Sequence, residues 1–271
     1  MTIAQTLDNV QSETSFLKVD GATLEVKSIM GRNIDAPTLI FLHEGLGCTD
    51  LWHDFPEKLA AATGCSALLY SRKGYGRSAP CDVPRPLNYM HIEAIEVLPK
   101  LLKAVSFDEH ILVGHSDGGS IALIYAGACA EPGLKGLITM APHVFCEELT
   151  VNSIAQTNSA FEGGKLREGL AKYHHDNVDC AFWGWNKAWL DPEFRNWNLE
   201  EFLPGIQVPH LLLQGLEDQY GTVAQVESVQ ANSSGRVEVQ MLEECGHSPY
   251  KEQEGQTLIA ARRFINDILS L

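Results

Sequence analysis

The chain has 271 residues, 45% apolar and 20% charged, with a formal net charge of −15. That is enough chain for a large core and the wrong sign for a nucleic-acid or anionic-membrane footprint; it also weighs against a polyanionic substrate such as a coenzyme A thioester. No apolar run reaches the ~18 residues of a membrane span, and Met1–Thr6 lacks the basic-then-apolar pattern of a secretory signal, so a cytoplasmic protein is expected.

Taken in chain order, short apolar runs alternate with helical patterns, the signature of an α/β protein with a mostly parallel sheet. Phe16–Val19 and Thr23–Ser28 read as an entry hairpin around Asp20-Gly21. Thr38–Leu42 is a buried strand, Leu51–Ala62 a helix and Ala67–Tyr70 a strand. Tyr89–Ala104 has helical periodicity with a kink expected at Pro99. His110–Val113 is a strand, Ser116–Ala130 a helix and Leu134–Met140 the next strand.

After Pro142 the pattern changes. Residues 143–205 contain no strand-like core run and are rich in aromatics, among them Phe145, Phe161, Trp183, Trp185, Trp189 and Trp197. This reads as a helical lid inserted into a core made of residues 1–142 and 206–271. Aromatics at helical spacing pack a lid onto its core as readily as they touch a ligand, so each stays open to both readings; Trp183 and Trp185 are the candidates for substrate contact. The alternation resumes with a strand at Pro209–Gln214, a helix near Val223–Ala231, a strand at Arg236–Leu242 and a last helix over Glu252–Leu269.

Gly114-His115-Ser116-Asp117-Gly118-Gly119 sits where the fifth strand turns into a helix. A Ser between glycines two residues either side, on a strand-to-helix turn, is a nucleophile elbow. A serine hydroxyl needs a base, a group to orient the base, and donors for an oxyanion. His247, in Gly246-His247-Ser248-Pro249 just past a strand, is the candidate base; Asp218, just past another, is the candidate orienting acid. The order Ser116, Asp218, His247 is that of nucleophile, acid and base in one known arrangement. Backbone N–H groups of Asp117 and of Gly45, in the loop His43-Glu44-Gly45-Leu46-Gly47, are the candidate oxyanion donors. The Asp117 side chain is explained by its place at a helix start. His43 and His115 read as structural, with His115 close enough to be a substrate contact, and His174 and His175 as lid residues within reach of substrate.

On these residues the chain resembles the α/β-hydrolase superfamily, among its single-domain enzymes with a lid. Leu42–Gly47, Ser71-Arg72-Lys73-Gly74-Tyr75-Gly76-Arg77-Ser78, the elbow, Gln214–Asp218 and Gly246-His247-Ser248 carry the likeness, over about Phe16 to Leu269. It implies an eight-stranded, mostly parallel sheet flanked by helices, and a Ser-His-Asp triad. An Asp at the elbow, as in a haloalkane dehalogenase, is replaced here by Ser116. Two departures stand out. Where the family has His-Gly, this chain has His43-Glu44, and Glu44 is expected either to turn away and pair with Arg72 or Arg77 or to act as a second acid–base group on substrate. Where the family has Asp before Arg-Gly, it has Ser71-Arg72-Lys73-Gly74, with altered local pairing expected.

The seven cysteines form no Cys-x-x-Cys pair, so neither a zinc site nor a disulfide framework is expected and reduced thiols fit. His174-His175-Asp176 lacks a further ligand at metal spacing, and Gly74-Tyr75-Gly76 lacks a nucleotide-loop pattern, so no metal or organic cofactor is expected. The function expected is hydrolysis of a small ester, thioester or related acyl compound with an apolar or aromatic portion. C–C bond hydrolysis, a lyase step or cofactor-free oxygenation on the same scaffold, or a hydrolase-like small-molecule receptor, remain open, as does the choice between monomer and homodimer.

Overall fold

A computed structural model describes residues 11–105, 107–129 and 131–270. The expected start at Met1–Thr6 and the expected helix end at Ala130 lie outside the described residues. Eight strands form one sheet: β1 (Ser12–Val19), β2 (Ala22–Ile29), β3 (Thr38–Leu42), β4 (Ala67–Tyr70), β5 (His110–His115), β6 (Leu134–Met140), β7 (His210–Gly215) and β8 (Val237–Leu242), in the order β1-β2-β4-β3-β5-β6-β7-β8. β1 and β2 pair antiparallel, as do β2 and β4; β4, β3 and β5 to β8 run parallel.

Every residue of β3, β5 and β7 is buried, as parallel strands covered on both faces require. The pleat sends alternate side chains to opposite layers. Ile40, Leu112 and Leu212 join one core with Ile121, Leu123, Val226 and Val229, while Leu39, Phe41, Ile111, Val113, Leu211 and Leu213 join the other with Phe55, Leu59, Leu258 and Phe264. The first layer holds helices α2 (Tyr89–Ile92, Glu93–Val97, Leu98–Val105), α3 (Asp117–Ala128) and α7 (Val223–Asn232); the second holds α1 (Phe55–Thr63) and α8 (Glu254–Leu269).

Four elements differ from expectation. β1 begins at Ser12, because its polar first half is an exposed edge held by backbone pairing to β2 and not by an apolar pattern. The first helix begins at Phe55 rather than Leu51, with Pro56 in its first turn and a separate 3₁₀ turn at Thr49–Trp52 before it; proline fits a first turn and not an interior. α2 does not simply kink at Pro99. It widens into a π-turn over Glu93–Val97, making room where the proline ring would press on the carbonyl four residues earlier. The last helix is preceded by a distinct turn at Pro249–Glu252.

Between β6 and β7 the chain forms α4 (Glu148–Glu162), α5 (Lys165–His174), α6 (Val178–Leu190) and 3₁₀ turns. The two ends of this helical insertion are stitched together: Phe145 bridges Asn198, the Cys146 N–H donates to Trp197 O at 3.2 Å, and the Leu199 N–H donates to Val144 O at 2.8 Å. Inside, Phe161 stacks on Phe182 with centroids 3.7 Å apart.

Candidate active site

The carboxyl ends of β3, β5, β6, β7 and β8 point to one rim of the sheet, the place where such sheets present their chemistry. At the end of β5, Ser116 has φ 52° and ψ −119°, a sparsely populated conformation for a residue with a side chain. The glycines around it permit the turn. A Cβ on Gly114 would come within 2.4 Å of Gly118 O, and one on Gly118 within 1.9 Å of Leu42 O. Gly118 lets α3 press onto the sheet, whereas a Cβ on Gly119 would meet Pro142, its Cβ at 3.0 Å and its Cα at 3.3 Å, with Gly114 O at 3.5 Å.

Ser116 Oγ lies 2.9 Å from His247 Nε2, and His247 Nδ1 lies 2.9 Å from both Asp218 oxygens. A carboxylate only accepts, so Nδ1 carries the proton and Nε2 presents its lone pair to the serine hydroxyl. Asp218 also accepts from Gln214 Nε2 at 2.7 Å and from the Tyr220 N–H at 2.8 Å. Burial opposes its charge, but the hydrogen bond and charge of His247 and the Tyr220 N–H outweigh it and hold the carboxyl down to about 2.

The loop after β3 is oriented by Arg72. Its guanidinium donates to His43 O at 2.6 Å and Glu44 O at 3.0 Å, while its N–H donates to His43 Nε2 at 3.1 Å. His43 therefore carries its proton on Nδ1, which donates to Glu44 O at 2.7 Å. With the Glu44 carbonyl held by these donors, the N–H of Gly45, antiparallel to it across a trans peptide, faces the other way. Gly45 and Asp117 both line the cavity beside Ser116.

The expected pairing of Glu44 with Arg72 or Arg77 does not occur. Arg72 is committed to the loop carbonyls and to Asp117, 3.8 Å away, and Arg77 to Glu25 and His175. Glu44 is instead part of the cavity lining, and its Oε2 faces His115 Nδ1 at 3.7 Å. Burial disfavours its charge, yet the interaction with His115 and the charge of Lys251 hold it well below the usual carboxylate range. His115, a candidate substrate contact, does not line the cavity; it is buried behind it, its Nε2 2.7 Å from His247 O. The second departure from the family pattern is resolved by Glu25 of β2, which accepts from Ser71 Oγ at 2.8 Å and the Arg77 N–H at 3.0 Å.

The Asp117 side chain is more than a helix-start acid. It is buried, accepts from Tyr89 Oη at 2.5 Å, and Tyr89 in turn accepts from Trp189 Nε1 at 3.1 Å. Burial pushes its carboxyl up against the pull of Arg72 and Tyr89.

The cavity has roughly 100 Å³ of free space. Besides Glu44, Gly45, Ser116, Asp117, Trp185 and His247, it is lined by His143, Thr150, Ile154, Trp189 and Tyr220, which the motifs did not single out. His143 follows β6 and Tyr220 follows β7 by a few residues, so the rule that strand ends carry the site was the available signal for both. Trp183 is not in the cavity; it packs against Phe161, Phe182 and Lys187. His174 does not reach the cavity either. Its nitrogens are taken by the Gly76 N–H at 3.1 Å and Leu46 O at 2.9 Å. His175 is engaged by Arg77 Nε at 3.1 Å.

A family model described as "Alpha/beta hydrolase family" matches residues 39–261. A proline iminopeptidase of Lactobacillus helveticus strain DPC 4571 is 22% identical over 276 residues, spanning 88% of this chain and 92% of the relative. A proline iminopeptidase of Lactobacillus delbrueckii subsp. lactis is 28% identical over 110 residues, but that match spans only 41% of this chain and 37% of the relative. The crystal structure of a membrane phospholipase A, described as a bacterial virulence factor, superposes with a TM-score of 0.76 at 20% identity, covering 99% of this chain and 92% of that one; at that identity the likeness concerns the fold.

Proposed function

This chain belongs to the alpha/beta hydrolase family, and from that premise we propose that it is a serine hydrolase of a small carboxylic ester, thioester or related acyl compound. The observation that carries the reading is the relay of Ser116 Oγ, His247 and Asp218 through contacts of 2.9 Å each. His247 takes the hydroxyl proton as Ser116 attacks the carbonyl, and Asp218 stabilises the imidazolium that forms. The N–H groups of Gly45 and Asp117 bind the oxyanion, each worth about 3 kcal/mol in the transition state. The leaving group departs with the proton from His247, and water activated by the same ring releases the acyl group from the serine. The insertion acts as a lid: Trp185, Trp189 and Ile154 wall the cavity, whose small free volume of roughly 100 Å³ favours a short acyl group.

Intact-mass analysis after exposure to a fluorophosphonate tests this. One adduct is expected on the native chain and none on Ser116→Ala or His247→Ala; a folded native chain that takes no adduct overturns the reading.

A second reading is release of an N-terminal residue from a peptide. It is favoured by the proline iminopeptidase relatives and by Glu44, an acidic residue of the cavity lining whose charge would attract a substrate ammonium. Aminoacyl and prolyl arylamides compared with short-chain aryl esters separate the two. Amide turnover that collapses in Glu44→Gln while ester turnover persists would favour the peptidase.

A further inference from the structure

Cys81 and Cys180 stand 99 positions apart in the sequence, yet their sulfurs are 2.7 Å apart. The lack of a Cys-x-x-Cys pair in the sequence is therefore no guide to which thiols the fold brings together. Cys81 lies in the loop after β4; Cys180 lies in the first turn of α6, within the insertion. Both are half-buried and carry free thiols. The contact is reinforced from the backbone: the Cys81 N–H donates to Cys180 Sγ at 3.4 Å, and Cys180 Sγ lies 3.3 Å from Cys81 O. A third group completes the cluster. A Cβ on Gly74 would come within 2.5 Å of Cys81 Sγ, 2.6 Å of an Arg85 guanidinium nitrogen and 2.7 Å of Cys180 Sγ, so both sulfurs and a cation converge on one point.

We propose that Cys81 and Cys180 are a reversible oxidation site, in which a hydroperoxide or a small-molecule disulfide converts the thiol pair into a cross-link between the sheet domain and the insertion.

The two sulfurs have distinct roles. The hydrogen bond from the Cys81 thiol lowers the Cys180 pKa, with the Cys81 backbone and Arg85 adding to this against burial; the same contact raises Cys81. A thiolate near a cation, at a helix start and partly open to solvent, is the reactive kind. With hydrogen peroxide, Cys180 Sγ attacks one oxygen, the O–O bond breaks, hydroxide leaves, and a sulfenic acid forms. Hydroxide takes the proton of Cys81, whose thiolate attacks the sulfenic sulfur. The S–S bond forms as the S–O bond breaks, and the second hydroxide leaves as water after taking the proton that Cys180 had released. The pair loses two electrons and two protons, and the peroxide becomes two waters. With a small-molecule disulfide, Cys180 forms the mixed disulfide and Cys81 displaces the second small thiol.

The consequence reaches the cavity through α6, which also carries Trp185 and Trp189 in its wall. Cross-linking anchors the start of that helix to the loop that holds Arg72.

The test uses the full chain, reduced and then exposed to hydrogen peroxide or oxidised glutathione. Expected is a mass loss of about 2 Da, a Cys81–Cys180 linkage on peptide mapping, and a rise in Tm on the order of 5 °C that dithiothreitol reverses. C81S and C180S, each checked for folding by circular dichroism, should lack the linkage and the Tm rise, while C129S should keep both. A linkage through other cysteines, or oxidation of Cys180 to a sulfinic acid with Cys81 left free, overturns the proposal. So does persistence of both thiols in the native chain. None of these readouts depends on the hydrolase reading.

Discussion

His115, the residue before the elbow serine, places its Nε2 2.7 Å from the carbonyl oxygen of His247 while its Nδ1 faces Glu44 Oε2 at 3.7 Å. A carbonyl only accepts, so Nε2 carries a proton. One ring thus joins the loop that carries His247 to the loop that carries Gly45.

Removing the carboxylate from this arrangement has two separable outcomes. Glu44→Gln keeps the shape and offers an amide N–H to Nδ1, so stability should change by less than about 1 kcal/mol. Glu44→Leu puts an apolar group where a carboxylate faces the already unpartnered Nδ1 at 3.7 Å, removing the charge beside a buried ring, and should cost about 1–3 kcal/mol. Urea unfolding of the two variants measures the difference, and equal costs would show that His115 does not depend on Glu44.

Acid should weaken the fold well before the carboxylates protonate. Burial pushes His143 and His210 down to about 3, with the charge of His247 adding at His143, and burial pushes His110 down to about 4. Unfolded, each titrates near 6.5. Below that value the unfolded chain binds more protons than the folded one, so stability is lost as pH falls toward 3 to 4. Between pH 7 and pH 5.5 each histidine should remove roughly 1 kcal/mol. Urea titrations at the two pH values check this, and a flat profile would mean that these rings bind protons in the native state as they do in the unfolded chain.

Asp218→Asn should leave the fold intact and cut turnover about 10⁴-fold, because an amide no longer fixes the His247 tautomer. Circular dichroism and the rate on any accepted ester are the two readouts. Near-normal turnover would place the acid elsewhere.

Gly118→Ala should fail where Gly119→Ala survives. The first drives a methyl to within 1.9 Å of backbone oxygen in β3; the second meets a proline side chain at 3.0 Å. A loss of about 3 kcal/mol or more is expected for Gly118→Ala, read as a lowered Tm, and similar melting of the two variants would contradict it.

Trp185→Ala should shift preference toward longer acyl groups, since the Trp185 ring lies against Gly45 in the cavity wall. Trp183→Ala should not. A chain-length series of aryl esters separates them by the ratio of kcat/KM for long and short substrates.

The two tryptophans also show where the sequence stops being informative. α6 is apolar nearly all round, so its composition does not reveal which face meets the cavity. Trp185 and Trp189, four apart, share that face, whereas Trp183 is turned away. By contrast Ser116, Asp218 and His247 were legible because each follows a strand at a loop with its own turn chemistry. The central strands were legible because continuous apolar runs of that length have no other use. The edge strand β1 was legible only in its second half, for its first half is held by pairing and carries no apolar pattern. The partner of Glu44 is not legible in the sequence because it depends on how two loops from distant strands meet. Arg72, the nearest cation in motif terms, was already taken by backbone carbonyls.

The stitched neck of the insertion has a consequence for how such a protein can be rebuilt. Because Val144–Cys146 and Trp197–Leu199 are bonded to each other, the helices between them leave and re-enter the sheet domain at one point. Closing a longer or shorter segment across fixed neighbours costs little, about 0.6 kcal/mol for each doubling of length. The neck is therefore a natural junction for recombination: a foreign cassette spliced between Cys146 and Trp197 could bring new walls to the cavity while Ser116, Asp218 and His247 keep their mutual register.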